Sequence, residues 1–157
     1  MTYSEIFDIA VSAAFERIRQ GKFELQSEKD IQALIFHEAL VLTEGQGLPP
    51  KVHAEPTRAD LKPDLVLGGE EVFVEIKLSK VVTGGYTEAT RKWGEDVEKL
   101  KKYRSQWPSG RCVFLAVDEA GYHSRSSSKN FFDPCGQGLR GNWQALGTKT
   151  WLLKAEL

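Results

Sequence analysis

The chain has 157 residues, of which 41% are hydrophobic and 27% charged, and its formal net charge at pH 7 is -1. This length suits one compact domain, and the near-neutral charge means that any polyanion site must come from local clustering of basic residues. No apolar run approaches membrane-spanning length, and the N-terminus lacks the layout of a signal peptide. Cys112 and Cys135 form no CxxC motif, so we expect free thiols in a cytoplasmic protein rather than a disulfide scaffold or a zinc knuckle.

Two helices are predicted at the start of the chain. In residues 4–20 apolar side chains recur at helical spacing, and Gly21 follows as a stop. Ser27 then opens a second helix, with Asp30 three residues later in a capping-box arrangement. That second helix, over 28–42, is apolar on nearly every side. We therefore expect it to be buried.

The middle of the chain predicts three strands and a helix. Residues 51–57 form a short strand, which Pro56 restricts to an edge or a strand end. A hairpin follows over 64–80, with two apolar strands about a Gly-Gly turn. Residues 82–90 then indicate a loop, and 91–107 an amphipathic helix.

The last third begins with a continuous apolar run over 111–118, typical of a strand covered on both faces. Because a helix separates it from the hairpin, we expect it to run parallel to the hairpin's second strand. Residues 119–147 are rich in Gly, Ser and Asn and indicate a long loop that could act as a substrate-contacting flap. Residues 148–157 close the chain as a strand. The predicted class is α/β, with residues 1–157 in a single domain.

The hairpin carries three charged residues at positions where a strand should be apolar. Alternation along its second strand places Glu75 and Lys77 on the same face. If residues 68–71 form a four-residue loop, Asp64 lies directly opposite Glu75; if residues 68–69 form a two-residue turn, the two acids are diagonal neighbours. Both loops have even length, so both put Asp64, Glu75 and Lys77 on one face.

Two opposed carboxylates repel each other and would destabilise the hairpin. A bound divalent cation would remove that cost, and Mg²⁺ is commonly held by one or two carboxylates with waters and phosphate oxygens. Lys77 could then position an attacking water and offset charge on a phosphate. The alternative is a solvated ladder of charges in which Lys77 neutralises both acids, and spacing alone favours it. The predicted helix and parallel strand would cover the other face of the hairpin as well. Charged side chains on a covered face are costly, so a bound cation is favoured as their explanation.

Pro63-Asp64, ten intervening residues and Glu75-Ile76-Lys77 resemble the PD-(D/E)xK motif of the restriction-endonuclease-like nuclease superfamily. The predicted order of elements over roughly residues 27–118 is also similar to the α-β-β-β-α-β core of that superfamily. The resemblance implies a mixed central β-sheet flanked by helices, with residues 119–157 as an extension. It also implies a cytoplasmic endonuclease that hydrolyses DNA phosphodiester bonds with Mg²⁺, for which Mn²⁺ can substitute.

The resemblance further implies a role for each motif residue. Asp64, Glu75 and Ile76 would hold the metal, and Lys77 would support the nucleophilic water. The substrate would be duplex, branched or end-containing DNA. A domain of this size leaves little room for a separate sequence-reading module, so we expect a homodimer or delivery by a partner protein.

An additional acid is expected from one of three positions. The Holliday-junction-resolvase-like branch adds a glutamate from the preceding helix, and residues 27–35 are similar to that helix, which nominates Glu28. Periodicity nominates Glu38 instead, because it falls within the apolar stripe of the same helix, where a lone carboxylate is costly unless it is paired or bound to metal. Glu55, near the end of the preceding strand, is the third candidate.

Basic and aromatic side chains outside the hairpin suggest where DNA could bind. A phosphate track could be formed by Lys99, Lys102, Arg111, His123, Arg125 and Lys129. The aromatics of the late loop, Tyr122, Phe131, Phe132 and Trp143, could stack on bases or form a satellite core. Two other functions remain open: a nuclease-fold module that binds nucleic acid without turnover, and a protein-interaction module.

Overall fold

The computed structural model describes residues 1–58, 60–80 and 86–157. Within these ranges the helices are α1 (Tyr3–Arg19), α2 (Glu28–Gly45) and α3 (Tyr86–Gln106), with a short 3₁₀ helix at Cys135–Gln137. The strands are β1 (Val52–Ala54), β2 (Leu65–Leu67), β3 (Val72–Ser79), β4 (Arg111–Asp118), β5 (Trp143–Ala145) and β6 (Trp151–Glu156).

These strands form one six-stranded sheet in the described part of the chain, in the order β1-β2-β3-β4-β6-β5. The pair β3–β4 is parallel and the remaining neighbours are antiparallel, so the sheet is mixed. The predicted α/β class is therefore confirmed, as is the parallel strand over 111–118. Among the described residues, no helix is both long and apolar enough to cross a membrane.

The two N-terminal helices begin and end close to where the sequence predicts them. In both, the N-cap side chain and a carboxylate three residues later form a capping box, from Thr2 in α1 and from Ser27 in α2. The expectation that α2 is buried all round is wrong. Ile35 is fully buried, but Val41 on another face of the helix is 52% exposed. Single exposed apolar residues are common on protein surfaces, so composition alone does not identify the buried face of α2.

The sheet separates two apolar cores because successive β3 side chains point to opposite faces. Val74 and Ile76 face α1 and α2 and belong to the first core. Phe73 faces α3 and belongs to the second, where it stacks on Tyr103 with ring centroids 5.4 Å apart. Glu75 therefore points toward α3, into the more aromatic core.

The hairpin adopts the longer of the two loops that the sequence allows. Leu67 pairs with Val72 and Leu65 with Val74, so residues 68–71 form a four-residue loop. The paired register ends at Leu65, and the N–H of the next residue, Asp64, donates to the Val74 carbonyl at 3.0 Å, one residue out of step with the ladder. The even loop and this local shift together bring Asp64 close to Glu75, whose pKa it raises.

Gly68 permits this loop because its φ is positive and because its neighbours leave no room for a side chain. Gly69 shares the positive φ but not the close neighbours, so it is a matched control for the effect of crowding. Both glycines have positive φ, of 68° and 80°. A Cβ on Gly68 would lie 2.8 Å from the Cβ of Glu71 and 2.9 Å from Cδ2 of Tyr3, whereas a Cβ on Gly69 would have no atom of a described residue within 4 Å. We expect Gly68→Ala to lower the free energy of unfolding by about 1 kcal/mol more than Gly69→Ala, since backbone strain is common to both. Urea unfolding measures the difference; equal losses would mean that Tyr3 does not pack tightly on the loop.

The predicted loop over 82–90 is wrong where the structure describes it. Helix α3 already begins at Tyr86, and residues 82–85 of the predicted loop lie outside the described residues. Glu88 and Ala89 are good helix formers, and they outweigh the neighbouring threonines.

The prediction of a long loop over 119–147 is also wrong in part. This segment contains the 3₁₀ helix and β5, which pairs with β6. The start of the segment is fixed by Asp118, whose carboxylate accepts hydrogen bonds from the main-chain N–H groups of Gly121, His123 and Ser124. Phe132 is buried and stacks on Phe114 at 5.3 Å. The segment therefore packs on the second core, and Phe132 is not available to stack on a base.

Candidate functional site

The candidate site lies where β2 begins at Leu65 and β3 continues past it; no strand of the described residues pairs with β3 there. Two carboxylates take the place of the missing strand. The N–H of Ile76 donates to Oδ2 of Asp64 at 2.6 Å, and the N–H of Leu78 donates to Oε1 of Glu28 at 3.3 Å. Unpaired backbone donors at a partly buried strand edge are costly, so these bonds give both acids a structural role. Each acid still has a second oxygen for other contacts.

Glu75 is the most deeply placed acid of the site. Its side chain is fully buried; Oε1 accepts a hydrogen bond from the Tyr103 hydroxyl at 3.0 Å, and Oε2 lies 2.9 Å from Nζ of Lys99. Burial, followed by the negative charge of Asp64, raises the pKa of Glu75 to about 8, although Lys99 acts in the opposite direction. Asp64 and Glu75 are thus electrostatically coupled, as the hairpin register requires.

The site also holds two lysines joined by an acid from α3. Nζ of Lys77 lies 3.1 Å from Oδ2 of Asp96 and 3.7 Å from Oε2 of Glu28. Nζ of Lys99 lies 3.4 Å from Oδ1 of Asp96. Burial lowers the pKa of the Lys77 ammonium, but Glu28 and Asp96 outweigh it, so the pKa lies above its ordinary value. Lys77 is therefore a cation fixed between α2 and α3.

Acidic side chains outnumber basic ones around the hairpin end. Among the described side chains there, the two ammonium groups of Lys77 and Lys99 face four acids: Glu28, Asp64, Glu75 and Asp96. Because its pKa is about 8, Glu75 is largely protonated at pH 7 in the metal-free protein. Burial is the main cause that raises the pKa of both Asp64 and Glu28. Such a site stabilises bound protons or an added cation. Lys77 contacts Glu28 and Asp96 rather than Glu75, and Glu75 is buried, which argues against the solvated ladder in which Lys77 neutralises both acids.

The donor set fits a hydrated hard cation rather than a closed metal cage. The charged groups offer oxygen ligands, and Mg²⁺ needs only one or two carboxylates when waters complete its shell. The main chain of Ile76 faces Asp64, since its N–H donates to that side chain and its carbonyl projects to the same side of the strand. Within residues 1–58, 60–80 and 86–157, no group of three or more Asp, Glu, His or Cys side chains forms a preassembled metal site. Water and main-chain oxygens would therefore supply most of the ligands.

A cleft of about 550 Å³ opens beside these acids, between the N-terminal end of α2 and the hairpin. Its lining includes Glu28, Asp64 and Ile76, together with Lys29 and Lys80. Glu75 is not part of the lining, because it points toward α3. A ligand in the cleft would therefore contact Asp64 and Glu28 directly. Asp64 would lie between this ligand and Glu75.

The structure separates the three candidates for the additional acid. Glu28 lies at the site, 3.7 Å from Lys77. Glu38 does not, because it pairs with Arg17 of α1 at 2.7 Å, and this ion pair explains a carboxylate within the apolar stripe. Glu55 lines the cleft and pairs with Lys29.

The predicted phosphate track is wrong at two of its positions. Arg111 is held between Asp8 and Glu156, linking α1 to the end of β6. His123 is fully buried, with Trp93 4.4 Å from its ring. Neither side chain can reach a phosphate.

Three residues of the site were not predicted as parts of it: Asp96 and Tyr103 on α3, and Gln32 on α2. Gln32 is buried, and its Nε2 donates to the main-chain oxygen of Asp64 at 2.5 Å. Asp96, Lys99 and Tyr103 recur at three- and four-residue spacing beside the apolar stripe of α3. That spacing is a signal readable in the sequence, since it puts all three on the helix face turned toward β3.

Comparisons of this chain with protein-family models, with characterised proteins and with solved structures give no significant match. The resemblance to the restriction-endonuclease-like superfamily therefore stays a prediction. Its support comes from the residues and contacts described above.

Proposed function

We propose that this chain is a nuclease that hydrolyses DNA phosphodiester bonds with a divalent cation, Mg²⁺ or Mn²⁺. The observation that carries the proposal is the coupled pair of half-buried Asp64 and fully buried Glu75 at the end of the β2–β3 hairpin, with Lys77 one alternate position further along β3. We further propose that the chain has the restriction-endonuclease-like fold. The run α2–β1–β2–β3–α3–β4 and the parallel β3–β4 pair support that assignment.

Asp64, Glu75 and the Ile76 carbonyl are the groups that would hold the cation, with Glu28 beside them. When bound, the cation would polarise a phosphate oxygen and lower the pKa of a coordinated water. Oxygen ligands and an excess of acidic side chains suit this role. Hydrolysis joins the water oxygen to phosphorus and breaks one phosphorus–oxygen ester bond; one water proton ends on the leaving hydroxyl.

The residues of the chain would each contribute separately to this reaction. The Lys77 ammonium, fixed by Asp96 and Glu28, would orient the attacking water and offset charge on the phosphate. Asp64 would hold the Ile76 main chain in place through Oδ2 while its other oxygen faces the cation. The adjoining cleft, with Lys29 and Lys80 in its lining, would admit the DNA strand.

The substitution Asp64→Asn tests the proposal sharply. An asparagine oxygen can still accept the Ile76 N–H, so the strand edge stays satisfied while the charge is removed. We expect a loss of cleavage of about 10³-fold, because a metal ligand is removed. The measurement is cleavage of duplex, branched and single-stranded DNA in Mg²⁺, with calorimetry for Mg²⁺ binding.

Asp60→Asn is the matched control, since Asp60 is exposed and asparagine tolerates its φ of 65°. It should cleave at the wild-type rate. Metal binding and DNA binding without cleavage would favour the inactive nucleic-acid-binding module. If the wild-type protein binds neither Mg²⁺ nor DNA, the nuclease proposal fails and a protein-interaction role is favoured. Sedimentation with and without DNA tests the expected homodimer.

A further inference from the structure

Lys99 takes up the position beside Glu75 where a cation would otherwise be needed. Of the two Glu75 oxygens, Oε1 is held by the Tyr103 hydroxyl, and Oε2 lies 2.9 Å from the Lys99 ammonium. Glu75 is fully buried, so the ammonium reaches it from α3, while the side chain of Lys99 remains 31% exposed. The ion pair thus joins a fixed acid to a lysine with a route to solvent.

Lys99 and a divalent cation cannot both occupy the space at Oε2. Two cations sharing one carboxylate oxygen would lie only a few ångströms apart and repel each other strongly in a partly buried site. Lys99 has an alternative partner, because Asp96 lies 3.4 Å away on the preceding helical turn. A shift toward Asp96 would remove the ammonium from Glu75 without leaving it unpaired.

We propose, on the basis of the metal-dependent function above, that Lys99 is a built-in competitor of the divalent cation. In the metal-free protein its ammonium lies beside Oε2 of Glu75 and offsets the negative charge of this acid when it is ionised. When the cation binds, Lys99 moves to Asp96 and solvent. Lys99 thereby stabilises the metal-free fold and weakens cation binding. The cation occupies the site only when its concentration is high enough to displace the Lys99 ammonium.

Calorimetric titration of Mg²⁺ and Mn²⁺ into four proteins tests this competition: wild type, Lys99→Met, Lys99→Arg and Lys102→Met. We expect Lys99→Met to bind the cation about tenfold more tightly, as a typical coupling between two sites. Lys99→Arg keeps the charge and should bind like wild type. Lys102→Met removes an exposed lysine of the same helix, so it measures the effect of net charge and should change affinity less than twofold, roughly.

A second measurement uses the wild-type chain and does not depend on a variant folding. Reductive methylation with formaldehyde, read residue by residue by mass spectrometry, should label Lys99 several-fold faster after Mg²⁺ is added, with Lys102 as internal reference. Unchanged Lys99 labelling at saturating Mg²⁺ overturns the proposal. Equal or weaker cation binding by Lys99→Met, with normal binding by wild type, also overturns it and leaves the nuclease proposal intact. If no protein of the set binds either cation, both proposals fall.

Discussion

Replacing Lys77 by methionine is expected to lower DNA cleavage by about 10²- to 10⁴-fold while the protein keeps its fold and its cation. Methionine has a similar unbranched stem, so it fills the same space beside α2 and α3. The ammonium that it removes contacts Asp96 and Glu28 rather than Glu75. The loss should therefore fall on the reaction and not on the pair Asp64 and Glu75 that would hold the metal.

Single-turnover cleavage at saturating Mg²⁺, together with calorimetric Mg²⁺ binding, separates the possible roles of Lys77. A slow variant with wild-type or tighter metal binding supports a role at the water or phosphate. Wild-type cleavage by Lys77→Met would mean that the lysine only neutralises its neighbours. Lys101→Met is the control, because Lys101 is an exposed lysine of α3 that pairs with Glu98 and does not line the cleft.

Local rules were sufficient to predict the part of the fold that forms the hairpin. A two-residue side-chain period on β3 places Glu75 and Lys77 on the same face. An even loop puts Asp64 on that face as well, and the structure uses the four-residue loop. Capping chemistry at Ser27 likewise fixed the start of α2, and with it the position of Glu28.

Tertiary contacts determine the features that the sequence did not reveal. Lys99 and Tyr103 reach Glu75 only because α3 packs over β3, a contact between residues at least 24 positions apart. Periodicity could not decide between Glu28 and Glu38, because it cannot tell that Arg17 of α1 would pair with Glu38. The late segment was not predicted for another reason: β5 has only three residues, and the turn at the start of the segment is held by hydrogen bonds to the Asp118 carboxylate rather than by a pattern of apolar residues.

The substitution Glu75→Gln should make the metal-free protein more stable at alkaline pH. The pKa of Glu75 is about 8 in the folded protein, mainly through burial, against an ordinary value of 4.5. The folded state therefore binds more protons than the unfolded state between these two values, and the free energy of unfolding falls as the pH rises through that window. Glutamine is neutral at every pH and lacks this dependence. At pH 8 to 9 the variant should be more stable by on the order of 1 to 3 kcal/mol, and near pH 4.5 the two proteins should be similar.

Urea unfolding across this pH range, with and without Mg²⁺, turns the comparison into a test of the whole site. Glu70→Gln, in the exposed loop of the same hairpin, controls for the loss of a carboxylate as such. Added Mg²⁺ should stabilise the wild type at pH 8, since a ligand of the folded state stabilises it by mass action, and should affect Glu75→Gln much less. The opposite result, a variant less stable than wild type at pH 8, would mean that Lys99 and Tyr103 stabilise the Glu75 carboxylate fully without a cation. Glu75 would then be one member of a structural ion pair, and the excess of acidic side chains at the hairpin end would no longer argue for a metal.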